Sequence, residues 1–240
     1  MVTKARGHPA RFYKQAEAGE VEGGFGVLLD GRQVRTPGGI KLAVPTMALA
    51  GLIATEWAAQ GDHILIPDMH ATRLAYAAID RAGTPREAYA DEAVRFAGAD
   101  VLCYFAEGPD SLIRRQEAQW GPELDWAATA LGLRLTRAHG IGHVAQPEGV
   151  TERARALALE LDDLALIGLA YAASLFKSTV LAFAVQRGRL TGVQALELSR
   201  LDEAFQEERW GVDAEAAQRT ARMRDEAAML DGWFAALKTP

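Results

Sequence analysis

The sequence predicts an α+β protein, in which a small antiparallel β-containing N-terminal domain is followed by an all-α helical bundle. Three observations point there. Glycines and β-formers crowd residues 11–45, and beyond Pro45 apolar residues recur at helical spacing. Across 240 residues, 49% are apolar and 24% charged, which supplies a core and excludes a disordered or collagen-like chain. The texture changes near residue 90 without a Ser/Gly linker, so the expected domains are 1–90 and 91–240.

The β part rests on turn chemistry. Phe25 to Thr36 reads as two short strands around Asp30-Gly31, a pair suited to a type I′ turn because both central residues need positive φ. Thr36-Pro37-Gly38-Gly39 predicts a second turn and Ile40–Val44 a third strand. Gly23, Gly24 and Gly26 read as turn glycines, because a dinucleotide loop would need a helix to follow them.

The helical part follows from caps and periodicity. Thr46 caps a helix to about Gln60, and Leu74, Ala78 and Ile79 mark a second short stripe. Thr84-Pro85-Arg86-Glu87 predicts a capping box opening a helix over 86–98. Ser111–Trp120 and Pro122–Leu131 predict two short helices, and Leu133–Pro147 an irregular or extended stretch. Helices are then expected over 151–163, 164–187, 191–211 (with a Thr191/Gln194 capping box) and 213–237. The last carries Ala216, Thr220, Met223, Ala227, Leu230 and Phe234 on one face.

Charge and cysteine content narrow the function classes. A net charge of −6 argues against a nucleic-acid partner, which needs a dominant basic face. The single cysteine, Cys103, cannot close an internal disulfide and points to a reducing, cytoplasmic setting. Leu164–Val185 approaches the ~20 apolar residues that cross a bilayer. A central Lys177, which costs about 2.5–3.5 kcal/mol on insertion, makes it a buried helix rather than a span. Lys177 itself reads as a snorkelling or paired lysine.

No catalytic constellation emerges from the residues. Nucleophile-elbow, zinc-helix and Cys-x-x-Cys motifs are absent, and Lys177-Ser178-Thr179 lacks the glycine of a phosphate loop. His139 and His143 stand four apart, but their intervening glycines oppose a helix. His63, Asp68 and His70 form a loose cluster that supports the alternative reading, a small metal- or acid/base-dependent enzyme. No third ligand follows the first pair at metal spacing and the second group makes no recognisable motif, so no cofactor, metal or small-molecule substrate is expected.

The most informative stretch is Leu198–Gly211. Leu198, Leu201 and Phe205 form a core-facing stripe, while Glu203, Glu207 and Trp210 share the other face. Two like charges one turn apart repel slightly, so this face resembles a docking surface with an aromatic anchor rather than a stabilised helix. The plainer alternative is a solvated acidic face with Trp210 folded back onto the bundle.

The motifs, taken in order, resemble one family. They are RFYK, GVLLDGRQVRTP, LAVPT, Glu56-Trp57, the run from Met69 to Arg81, Asp100 to Pro109, Gln116 to Trp126 with Trp120-Gly-Pro122, and Leu201 to Gly211. Together they are similar to the F1-ATPase assembly chaperones that attend the α subunit of ATP synthase, over about residues 11–236. The resemblance implies a non-enzymatic protein that binds the free F1 α subunit, with a β-containing N-terminal and a helical C-terminal domain. It implies an acidic functional residue in the last-but-one helix, which falls on Glu203 ahead of Glu207, and it maps the family's tryptophan onto Trp57, which reads as structural because it lies on an amphipathic helix. The first residues carry no mitochondrial leader, so a bacterial cytoplasmic member is expected.

Overall fold

A computed structural model of the chain describes residues 8–81, 83–140, 142 and 144–238. It resolves into two compact units, residues 1–83 with 232–240, and residues 84–231.

In the first unit, β1 (Ala16–Val21), β2 (Gly24–Leu29) and β3 (Arg32–Gln33) form an antiparallel sheet in the order β1-β2-β3. Asp30 and Gly31 both have positive φ, as the hairpin turn requires, and the Asp30 carboxylate accepts the Lys14 and Gln15 amides. The strand expected over 40–44 is reduced to bridges, Arg35 to Lys41 and Phe25 to Val44. β1 instead supplies the third strand, in a Glu- and Ala-rich segment that propensity does not favour. Pairing with the buried β2 overrides that preference.

Helix α1 (Met47–Ala58) starts where Thr46 accepts the Leu49 amide. It buries Leu49, Ile53 and Trp57. Helix α2 (His70–Asp80) has no cap of its own, and the carboxylate of Glu56 from α1 takes its place. Glu56 accepts the amides of Ala71 (2.7 Å) and Thr72 (2.8 Å) and the Thr72 hydroxyl (2.7 Å). An anion at a helix N-terminus satisfies orphan donors and meets the positive end of the dipole.

The second unit contains α3 (Arg86–Ala93), α4 (Asp110–Trp126), α5 (Val150–Leu159), α6 (Asp163–Phe176), α7 (Thr179–Gln186), α8 (Gly192–Ser199) and α9 (Leu201–Trp210). Two-residue strands β4 (Tyr104–Phe105) and β5 (Ala138–His139) pair in parallel within it. Helix α6 is its centre, touching α3, α5, α7 and α8, with Leu166, Leu169 and Phe176 fully enclosed. Helix α10 (Ala214–Lys238) begins in this unit, and its residues 232–238 belong to the first.

Several helix boundaries differ from expectation, each for a local reason. Helix α3 ends at Ala93, and no Thr84–Glu87 capping box forms, because Pro85 itself occupies the cap position. Helix α4 runs through Pro122 as one element, forgoing a single backbone bond, and passes into a π-turn over Ala127–Leu131 that stops at Gly132. The long apolar helix divides at Lys177, whose φ of 52° is left-handed, and Ser178 caps α7 by accepting the Leu181 amide. Lys177 is thus a helix terminator with an exposed side chain. Among the described residues no helix is long and apolar enough to cross a membrane. The 191–211 helix likewise divides, at Arg200, while its Thr191/Gln194 capping box forms as expected.

The 1–90 and 91–240 division differs from the two units at both ends. Helix α3 packs on α5 and α6 inside the second unit, and the last turns of α10 lie in the first. A helix that continues from one unit to the other shows no change of composition there, so texture does not mark the crossing.

The division at Lys177 is held from a distance. Asp100 lies fully buried, its Oδ1 accepting the Leu102 amide at 3.2 Å and its Oδ2 the Val180 amide at 3.0 Å. Burial pushes its carboxyl up to about 6, against the pull of hydrogen bonds from Ser178, Val180, Leu102 and Thr179. Cys103, enclosed nearby, is pushed up to about 12 by burial and by the charge of Asp100, so it is an inert packed thiol.

Candidate partner-binding site

Helix α9 separates the two kinds of residue that its sequence spacing predicts. Leu201 and Phe205 are buried, and the Arg209 guanidinium covers the outer face of the Phe205 ring at 4.0 Å. Glu203 is exposed and Trp210 is 78% exposed, so the tryptophan does not fold back onto the bundle. A tryptophan that open places an uncovered aromatic surface at the end of a helix, beside exposed Val212.

Glu207 sits differently from Glu203. It is half-buried and paired with Arg200, whose Nη2 donates to Glu207 Oε1 at 3.0 Å. The repulsion expected between Glu203 and Glu207 is therefore relieved by an arginine at the break between α8 and α9. Two further ties fix α9 on α4: Arg115 Nη1 reaches both Glu208 oxygens at 2.8 and 2.9 Å, and Arg209 donates to Ser111 Oγ at 3.3 Å.

Asp202, on another side of α9, lines an open cleft of about 630 Å³ with Gln206, Leu112 and residues 104–108. Gln116, with no exposed surface, connects it to the strand region. Its Oε1 accepts the Ala106 amide at 2.8 Å, so its Nε2 is left to donate to Asp202 Oδ1, at 2.7 Å. Burial holds the Asp202 carboxyl above its ordinary value; the Gln116 hydrogen bond opposes the rise, and the charge of Glu203 adds to it. Trp120 closes the same corner, its Nε1 donating to the Leu198 carbonyl at 2.9 Å.

These features match known proteins along most of the chain. A family profile described as ATP12 chaperone protein matches residues 10–128. The crystal structure of Atp12 from Paracoccus denitrificans is 40% identical, with 94% of this chain and 98% of that one covered and a TM-score of 0.83. The chain belongs to the ATP12 chaperone family. The Atu1473 protein from Agrobacterium tumefaciens is 37% identical over 96% of this chain and 87% of its own, at a TM-score of 0.89. A mitochondrial protein atp12 of Schizosaccharomyces pombe is 27% identical over 84% of this chain and 73% of its own. This is the F1-ATPase assembly chaperone family that the ordered motifs resemble, and the function is that of a chaperone.

In this ATP12 chain His63 and His70, the histidines of the enzyme alternative, lie on different elements. His63 is exposed in a bridge with Ala10, Asp68 is exposed in a short helical turn, and His70 opens α2. His139 lies on β5 with its ring 5.9 Å from Phe105, and His143 falls outside the described residues. Among the described residues no three metal-ligating side chains come together. Trp57 is packed against Tyr13, whose hydroxyl donates to the Trp57 carbonyl at 2.7 Å, a structural placement.

Asp202, Gln116 and Arg200 border the candidate site without being singled out by sequence spacing. Gln116 and Trp120 stand in one of the ordered motifs, and a glutamine one helical turn from a core tryptophan is the available signal. Asp202 is hidden by its neighbour, because on a helix the exposed Glu203 draws the eye to the solvent face.

Proposed function

We propose that this ATP12 chaperone binds the free F1 α subunit of ATP synthase and keeps it from aggregating until β subunits are available. In this reading it works in a bacterial cytoplasm, has no catalytic role, and docks its client through α9. Trp210 is the anchor and Glu203 a rim charge, while Glu207 acts by holding Arg200 in place.

The observation that carries the reading is the exposure of Trp210 on a helix whose other side is firmly seated. A large aromatic left open on a rigid element is the usual chemistry of an interface anchor, and charges around it set approach rate and register. Unassembled α exposes surfaces meant for β, and covering an apolar patch of that kind suppresses aggregation. An interface with one aromatic centre and a polar rim binds well and still yields to the proper partner.

Light scattering of aggregating F1 α subunit, with this chain added, tests the proposal. Wild type suppresses the signal, while Trp210→Ala and Glu203→Lys protect less at equal concentration. Equal protection by both variants overturns the docking site. Failure of wild type to bind purified α overturns the client.

A further inference from the structure

We propose that the free edge of β1 takes an extended segment of a partner protein as an added strand, one bearing Lys or Arg at two positions three residues apart. The edge lies in the first unit, and its role can fail without touching that of α9.

The hydrogen-bond phase of the sheet fixes which backbone groups are open. Opposed residues in an antiparallel pair alternate between bonded and non-bonded. Phe25 exchanges both backbone bonds with Val44, at 2.9 and 2.7 Å, and the Val27 carbonyl accepts the Val34 amide at 2.9 Å. Both residues thus turn away from β1, where they stand opposite Glu20 and Ala18. The bonded positions of β1 are therefore Glu17, Gly19 and Val21, and the N–H and C=O groups of Ala16, Ala18 and Glu20 point out from the sheet edge. Among the described residues these groups meet no partner, and β1 pairs with β2 alone. The strand runs six residues with no proline and no bulge. An open edge of that kind is a template for a further strand.

The side chains say what can be added. Opposed residues share a face, so Ala16 and Ala18 lie on the side of buried Leu29 and Val27, yet both alanines stay partly open. Apolar side chains on an incoming strand would extend that covered face. Glu17 and Glu20 are exposed, form no ion pair among the described residues, and stand on opposite faces of the strand. Lys41 is paired instead to Glu22, at 3.6 Å. A second copy of β1 would set carboxylate against carboxylate, which cross-strand pairing disfavours. A strand with a cation opposite each glutamate gains at both, and the spacing of those cations is three in either strand direction.

An aromatic side chain stands near one end of this edge. Phe12, four residues before Ala16, is 72% exposed, with its ring edge-on to Tyr13 at 5.3 Å. Four residues span at most about 14 Å, so a bound segment continued by a few residues reaches that ring.

The probe is a blocked octapeptide, Thr-Val-Lys-Val-Thr-Lys-Val-Thr, added to the full chain while amide hydrogen exchange is followed residue by residue. Exchange at Ala16, Ala18 and Glu20 should slow, whereas Glu17, Gly19 and Val21, already bonded to β2, change little. The same peptide with Glu in place of both Lys should not bind. Glu17→Gln combined with Glu20→Gln should weaken binding about fivefold, as expected for two exposed charge pairs. Ala18→Pro removes an outward donor without touching the β1–β2 ladder and should abolish binding. A measurement that leaves the chain unaltered accompanies it: N-methylation of one alternate set of peptide amides abolishes binding, and of the other set does not.

Unchanged exchange at Ala16, Ala18 and Glu20 overturns the proposal and leaves an edge that is only guarded by its charges. Equal binding of the glutamate peptide, or binding of both N-methylated peptides, overturns it too. So does dimerisation of the wild-type chain through those same three amides, which would make a second copy the occupant.

Discussion

Replacing Asp100 by Asn should change how stability responds to acid, and the size follows from the burial of that carboxyl. Its value rises from 3.8 to about 6 in the folded chain because burial disfavours the charge more than its hydrogen-bond donors favour it. The folded state therefore keeps a proton over a range where the unfolded chain has released it. That contribution to stability is complete below pH 3.8 and gone above about pH 6. At roughly 1.4 kcal/mol per pKa unit its full extent is about 3 kcal/mol, and close to pH 5 about 1 kcal/mol of it is present. Asp100→Asn removes the titration and turns an N–H group toward the amides of α7, so the variant is weaker at every pH. Urea unfolding of both proteins at about pH 7.5 and about pH 5 gives the readout. The stability gap between wild type and variant should widen by about 1 kcal/mol on acidification. A gap that stays constant or narrows would refute the reasoning, since it would mean that the donors outweigh burial and hold Asp100 ionised.

Three other outcomes follow from the packing. A methyl group added at Gly192 would lie 1.8 Å from the Ala227 carbonyl oxygen, so Gly192→Ala should separate α8 from α10 and lower stability by about 1–3 kcal/mol in denaturant unfolding. Glu56→Ala should remove the cap shared by two helices and destabilise by about 1–2 kcal/mol, read as a lower thermal midpoint. Trp210→Ala should leave stability within about 0.5 kcal/mol of wild type while reducing client protection, because the ring is open to solvent.

What the sequence revealed and what it hid have a common physical basis. Asp30-Gly31, Thr46 and the Thr191/Gln194 box are local devices, complete within four or five residues, and each forms as spacing predicts. The stripe on α10 holds in its C-terminal half, where Ala227, Leu230 and Phe234 are buried, while Ala216, Thr220 and Met223 are only partly covered. The breaks at Lys177 and Arg200 interrupt apolar patterns that continue through them, so periodicity alone carries each helix onward. At Lys177 the interruption is fixed by Asp100, 80 residues from Val180 in the chain. On α9 the opposition of Leu201 and Phe205 to Glu203 and Trp210 was readable. The Arg200–Glu207 pair was not, since Arg200 lies at the hidden break. Likewise, Gln116 and Asp202 meet across 86 residues, a partnership that no local rule proposes.

The return of α10 to the first unit bears on how the polypeptide matures. Trp233 and Phe234 are buried, Thr46 donates its hydroxyl to the Ala236 carbonyl at 2.8 Å, and Gly232 allows Leu52 of α1 to approach. Residues 1–83 leave the ribosome first, yet they lack this wall until the entire intervening helical unit has been translated. Vectorial folding, in which the leading segment settles before the rest emerges, is closed to this arrangement. A chaperone built this way is itself exposed during its own synthesis, waiting on its final turns.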